Sequence, residues 1–193
     1  MTHPRIGIFG GTFNPIHLGH LLLAETAREA LTLDRVVFIP THQPPHKRAS
    51  DLLTGPVRLE LIQLAIRDHP AFVVSDIELQ RQGTSYTIDT VKALRSQLPD
   101  AALFLLIGED MLGVRWVAWE ELKRLCTVAV AHRAGCRPSR ERGLRWLPMP
   151  QVEISSSDIR TRLKAGRSIR YLVPGPVERV LRQRYTDSRG GQP

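Results

Sequence analysis

The stretch Ile6-Gly7-Ile8-Phe9-Gly10-Gly11-Thr12-Phe13-Asn14-Pro15-Ile16-His17-Leu18-Gly19-His20 decides the fold. Ile6 to Phe9 is a short apolar run of the kind a buried parallel strand makes, two glycines close it, and from Leu21 to Leu31 apolar residues recur at helical spacing. A strand that turns through Gly-Gly into a helix lets backbone N–H groups approach a phosphate, and the helix start adds its positive dipole end. A triphosphate fits such a place. The stretch lacks the Gly-Lys-Ser/Thr ending of a P-loop and the spacing of a dinucleotide GxGxxG, so neither of those readings survives.

Outward from this stretch the same alternation repeats. Val36 to Ile39, Phe72 to Val74, Leu103 to Ile107 and Val128 to Ala131 read as further buried strands, and Val57 to Arg67 and Ile88 to Leu98 as helices between them. The βαβα order predicts an α/β fold with a parallel sheet, helices on both faces, and ligands beyond the carboxyl ends of the strands. Three loops fall there: Gly10 to His20, Thr41 to Thr54 and Gly108 to Trp116. The last third reads as two short helices, Ser156 to Lys164 and Pro176 to Arg184, ahead of a frayed end. The expected organisation is a single domain over residues 1–185, with a core over 1–150, a small C-terminal helical part over 151–185 and a flexible tail over 186–193.

With 193 residues, 42% hydrophobic and 24% charged, the composition is that of an ordinary globular domain. Lys and Arg outnumber Asp and Glu by 27 to 19, a formal charge of +8 that suits polyanionic ligands. Much of the excess lies between Arg133 and Arg145 and at Arg160, Arg162, Lys164, Arg167 and Arg170, where most side chains read as a solvated basic face. A nucleic-acid-binding module would interleave these with aromatics, and the 6% aromatic content is scattered instead. Cys126 and Cys136 form no repeated CxxC pattern and read as reduced, buried thiols. Without a signal-peptide pattern or an apolar run of membrane length, the expected location is cytoplasmic, with no membrane partner.

The chemistry concentrates in a few places. His17 and His20 are three apart, so on a helix they share one face, which Gly19 leaves open. Two imidazoles at a helix start can donate to phosphate oxygens whose charge grows during phosphoryl-centre substitution. A zinc site with His42 and His46 is the alternative, but it leaves the Gly-rich turn unexplained. Ser155 to Ser157 form an N-cap cluster whose free N–H groups suit an anion, and Arg160 can fork onto two oxygens. Ser85-Tyr86-Thr87 is another hydroxyl-rich helix start. Lys47, beside a stiffening Pro44-Pro45 pair, reaches toward a phosphate.

Residues 10–20 resemble the HxGH nucleotidyltransferase motif in the form carried by bacterial nicotinate mononucleotide adenylyltransferases. The resemblance continues through Pro44-Pro45-His46-Lys47, Glu78-Leu79 with Arg81 and Gly83, Ser85-Tyr86-Thr87 with Asp89-Thr90, Ile107-Gly108 with Asp110, a Trp before Glu121-Leu122, Ile154 to Ser157 with Ile159-Arg160, and Tyr171 to Pro174. It implies a Rossmann-like, doubly wound domain that joins ATP to nicotinate mononucleotide, giving a dinucleotide and pyrophosphate. On that analogy His17 and His20 bind the ATP phosphates with the backbone of Gly10, Gly11, Thr12 and Phe13. Ser156 and Arg160 meet them from the other side, Gly108 and Asp110 hold the adenosine ribose, and Arg133 adds a further contact. The second substrate lies by Ser85, Tyr86 and Thr87, its ring on Trp116 and its phosphate within reach of Lys47.

Trp116 stands at the family's distance from Glu121-Leu122, although its interval from Asp110 is shorter than usual, and Trp119 is its rival. Asn14 replaces the Asp of many relatives and turns the chain equally well. Mg²⁺ is expected on the substrate oxygens, without protein ligands. Phosphopantetheine adenylyltransferases share the HxGH motif but not the Ser-Tyr-Thr stretch or the Trp loop. A class I aminoacyl-tRNA synthetase fragment would need a KMSKS-like loop, and none is visible.

Overall fold

The computed structural model describes residues 3–43, 52–132 and 141–187, with residues 186 and 187 described by their backbone alone. Strands β1 (Arg5–Gly11), β2 (Arg35–Pro40), β3 (Phe72–Val74), β4 (Ala102–Gly108), β5 (Thr127–Ala131) and β6 (Arg145–Leu147) form one sheet in the order β3-β2-β1-β4-β5-β6. Every pairing is parallel. The helices are α1 (Leu18–Ala30), α2 (Gly55–Ile66), α3 (Ile77–Arg81), α4 (Thr87–Gln97), α5 (Trp119–Leu125), α6 (Ser156–Lys164) and α7 (Gly175–Asp187), with a 3-10 turn over Glu109–Gly113.

Each central strand sends alternate side chains to opposite layers. In β4, Phe104 and Leu106 join Phe9, Phe38 and Ala129 under α1, α2, α6 and α7. Leu103, Leu105 and Ile107 join Ile6, Ile8, Ile39 and Val130 under α4 and α5. Full burial of an Ile, Leu or Phe side chain contributes roughly 1.5–3 kcal/mol. Because both faces are filled this way, a one-residue slip of any strand would exchange its two sets of contacts. Ile159, Leu163, Ile169, Val173, Val177 and Leu181 of the C-terminal segment lie in the same cluster as the first layer. The two ends of the chain therefore share one core.

All five strands expected from the sequence are present, as are the three long helices and α6. Helix α7 runs through Asp187, past the boundary expected for a tail, and residues 188–193 lie outside the described residues. Strand β6 was not expected. It is three residues long, only Leu147 in it is buried, and it emerges from an Arg-rich run. Helices α3 and α5, of 5 and 7 residues, are too short for an apolar period to show.

Candidate active site

The strand order reverses at β1, which turns to β2 on one side while β4 lies on the other, so the crevice falls above Gly10, Gly11 and Gly108. A Cβ on Gly10 would meet nothing within 4 Å. The fold itself does not require glycine there; a side chain would occupy the crevice. At Gly108 the reason is different, because the Asp110 carboxylate would lie 2.5 Å from a Cβ. The pair expected to hold the ribose is thus folded together at the end of β4. Glu109, between them, is buried and pairs with His132 Nδ1 at 2.6 Å.

Beyond Gly11 the loop is pinned by Phe13. Its backbone is left-handed (φ 45°), a conformation that costs an ordinary residue about 1–2 kcal/mol, and burial of its ring offsets the strain. The ring packs edge-on against Phe9 at 5.4 Å and His20 at 5.0 Å. Asn14 is buried, and its Oδ1 accepts the Leu53 N–H at 3.0 Å.

His17 and His20 are brought together, but not as two residues on one helix face. His17 is the N-cap of α1, in extended backbone (φ −149°, ψ 170°), and His20 is the third helical residue. The His17 N–H donates to His20 Nδ1 at 3.2 Å, and the rings stack with centroids 3.6 Å apart. In a neutral His20 the proton must therefore sit on Nε2, as a donor. Gly19 makes the stack possible, since a Cβ there would lie 3.1 Å from His17 Nδ1.

The C-terminal segment forms the facing wall. Ser155 caps α6 by accepting the Asp158 N–H at 3.1 Å, Ser156 Oγ donates to the Pro15 carbonyl at 2.9 Å, and Arg160 Nη1 donates to the Asn14 carbonyl at 2.9 Å. Arg160 Nη2 donates to Ser157 Oγ at 3.3 Å. Ile154 comes within 3.8 Å of a Cβ placed on Gly19, and the Leu18 N–H donates to the Leu172 carbonyl at 3.0 Å. Two helix N-termini, those of α1 and α6, thus meet at the turn over residues 14–19 that carries His17. Their dipoles add in sign, which suits an anion.

On the other side, Tyr86 is the N-cap of α4 and its side chain makes no capping bond. Ser85 is turned inward. It is buried, its Oγ accepts the His42 N–H at 3.1 Å and its own N–H donates to the Gln43 carbonyl at 3.1 Å. It holds the loop in place, and Tyr86 and Thr87 carry the open helix start. Trp116 and Trp119 both line one cavity of about 200 Å³ with Leu112, Val114 and Glu141, their rings 5.4 Å apart. Trp116 Nε1 donates to the Met111 carbonyl at 2.8 Å, while Trp119 Nε1 donates to Glu141, which Lys123 also holds.

Sequence reasoning passed over Arg58 and gave no role to Glu78, two buried charged residues behind these loops. Arg58 is 1% and Glu78 5% exposed. Burial lowers the Arg58 pKa, and Glu78 opposes that shift. Burial raises the Glu78 pKa against hydrogen bonds from Thr90 and Ser85. Lys47, Arg133 and Cys136 lie outside the described residues, as does His46, which a zinc site would need. Cys126 is buried, and desolvation pushes its thiol up to about 11. Among the described residues no group of three or more His, Cys, Asp or Glu side chains is placed to hold a metal, and no helix is long and apolar enough to cross a membrane.

Sheet order and glycine loop together place the chain in the doubly wound class of nucleotide-binding folds. A cytidylyltransferase-like family model matches residues 8–162. A probable nicotinate-nucleotide adenylyltransferase of Shouchella clausii is 44% identical over 93% of this chain and 95% of its own, and one of Thermus thermophilus is 45% identical over 90% and 94%. The chain belongs to the nicotinate-nucleotide adenylyltransferases, a family of nucleotidyltransferases. In fold it is similar to a Plasmodium falciparum nicotinic acid mononucleotide adenylyltransferase complexed with NaAD, with a TM-score of 0.79 at 16% identity over 98% of this chain and 97% of that one.

Proposed function

We propose that the chain transfers the adenylyl group of ATP to nicotinate mononucleotide, giving nicotinate adenine dinucleotide and pyrophosphate, through one domain over residues 1–185 that includes the C-terminal helices. The observation that carries this reading is the stacked His17–His20 pair at the start of α1, beside the turn over residues 14–19 on which the start of α6 is seated. The ATP phosphates lie there, against the backbone of Gly10 to Phe13, the imidazoles, and the start of α6 at Ser156. Gly108 and Asp110 hold the ribose, and Arg133 and Lys47 serve as further nucleotide contacts. The mononucleotide lies against Tyr86, Thr87 and Trp116.

The nucleophile needs no general base. A phosphate monoester, with its second pKa at about 6, is mostly a dianion at neutral pH and attacks the α-phosphorus in line. The protein aligns the reactants and donates hydrogen bonds to oxygens that gain charge. His20 Nε2–H supplies one such donor. Mg²⁺ fits a loop made of N–H and imidazole donors because its hard oxygen ligands come from the phosphates and water, and when bound it neutralises their charge. The same reading makes this a cytoplasmic enzyme of two free small molecules, with no nucleic-acid or membrane partner.

Pyrophosphate release from ATP and Mg²⁺ tests it, comparing nicotinate mononucleotide, nicotinamide mononucleotide and phosphopantetheine. Turnover with the first is expected. Turnover with phosphopantetheine alone would replace the reading.

A further inference from the structure

Arg58 lies in the first turn of α2, and its guanidinium holds three backbone carbonyls from two loops, with the β2–α2 loop held at both its ends. Nη1 donates to Thr12 at 2.9 Å, Nε to Leu53 at 2.9 Å and Nη2 to His42 at 3.4 Å. Thr12 belongs to the loop after β1. His42 belongs to the loop after β2, and from it a second set of bonds continues. Its N–H donates to Ser85 Oγ, its Nδ1 is bonded to the Gly83 carbonyl at 3.0 Å, and Ser85 is hydrogen-bonded to Glu78. Thr90 Oγ1, on α4, donates to Glu78 Oε1 at 2.6 Å and accepts from Arg81 Nη2 at 3.2 Å. A polar chain, buried at Arg58, Ser85, Glu78 and Thr90 and half-buried at Thr12 and His42, therefore runs Thr12, Arg58, His42, Ser85, Glu78, Thr90, from the glycine loop to the first turn of α4.

Stability alone does not account for it. Burying a guanidinium and a carboxylate is costly, and well-packed apolar residues of similar volume commonly serve the core as well or better. What an apolar residue cannot do is fix three carbonyls at set angles, and a planar fork with five donors can. We propose that Arg58 is a positioning residue for adenylyl transfer, setting the distance and angle between the ATP phosphate loop and the mononucleotide pocket at Tyr86–Thr87 through the Thr12 and His42 carbonyls. The proposal rests on the functional reading above. In-line attack tolerates little misplacement, and an error of about 1 Å lowers rate by on the order of 10²-fold while each half-site still binds its own ligand.

The test is Arg58→Lys, with Ser85→Ala as a second break in the same chain that leaves the buried charges in place. Turnover, both KM values, and calorimetric binding of ATP and of nicotinate mononucleotide separately are measured on folded protein. The expected signature is a split: kcat of Arg58→Lys falls on the order of 10²-fold and that of Ser85→Ala about 10-fold, while each substrate alone binds within about threefold of wild type. If Arg58→Lys does not fold, Ser85→Ala decides. Folded variants with wild-type kcat, or a loss confined to one KM, overturn the positioning role. Wild-type protein that releases no pyrophosphate with these substrates overturns the functional reading and this proposal with it, so the two failures are distinguishable.

Discussion

The His17 N–H donates to His20 Nδ1 at 3.2 Å, across two rings whose centroids are 3.6 Å apart. One imidazole nitrogen thus accepts at the helix start, which puts the proton of a neutral His20 on the other. The two roles separate by substitution. His20→Asn keeps an acceptor near Nδ1 and loses the Nε2–H, so it should retain most of the stability and lose roughly 10²-fold in kcat, with a smaller change in ATP affinity. His20→Ala loses both and should also be less stable by about 1 kcal/mol. Single-turnover rates and thermal melts read the two effects; normal turnover in either variant would remove the phosphate role.

Gly19 offers a subtler probe. Alanine gains about 1 kcal/mol of helix propensity at an interior position, but here its Cβ would lie 3.1 Å from His17 Nδ1 and must push that ring aside. Gly19→Ala should leave the melting temperature within a few degrees of wild type and lower kcat about 10-fold or more. A rate equal to wild type would mean that the placement of the His17 ring does not matter.

Arg160 joins α6 to the loop before α1 through the Asn14 carbonyl, while its other Nη donates to Ser157 Oγ on its own helix. Lysine keeps the charge and loses the fork, so Arg160→Lys should lose on the order of 10-fold or more in kcat/KM for ATP while folding normally. Unchanged kinetics would mean that Arg160 only braces the wall.

The elements that were readable in the sequence are those whose burial is complete. Leu103 to Ile107 is apolar at every position because both faces of β4 are covered, whereas β6 buries one side chain of three and reads as part of a basic loop. The histidines do come together, but at other positions than expected, because spacing of three fits both two positions on a helix and an N-cap with its third residue. Arg58 had a signal that its charge concealed. It stands three and four residues before the buried Leu61 and Ile62, on the core stripe of α2, and an arginine there is easily assigned to the solvated face. Ser85 was assigned to the ligand because sequence shows a hydroxyl but not its direction.

The last prediction concerns the choice of pyridine. The start of α4, whose N-cap Tyr86 makes no side-chain capping bond, presents backbone N–H groups together with a positive dipole end. A nicotinate carboxylate satisfies these with two acceptor oxygens, whereas a nicotinamide brings NH₂ donors and leaves at least one donor-to-donor contact. A buried donor left unpaired costs about 1–3 kcal/mol, and the charge-assisted part adds to it, so the acid should be preferred by on the order of 10² or more in kcat/KM. Trp116 contributes differently. Its indole N–H is held by the Met111 carbonyl, which sets the ring plane, and Trp119 leans on it while bonded to Glu141. Stacking holds acid and amide rings alike, so Trp116→Ala should weaken both mononucleotides and leave their ratio nearly intact. Trp119→Phe, which keeps the brace and loses the bond to Glu141, should change both less. Equal use of the two mononucleotides by the wild type would refute a carboxylate pocket at Tyr86–Thr87. A ratio that collapses in Trp116→Ala would move the discrimination to the aromatic wall, and a larger loss in Trp119→Phe would make Trp119 the stacking residue.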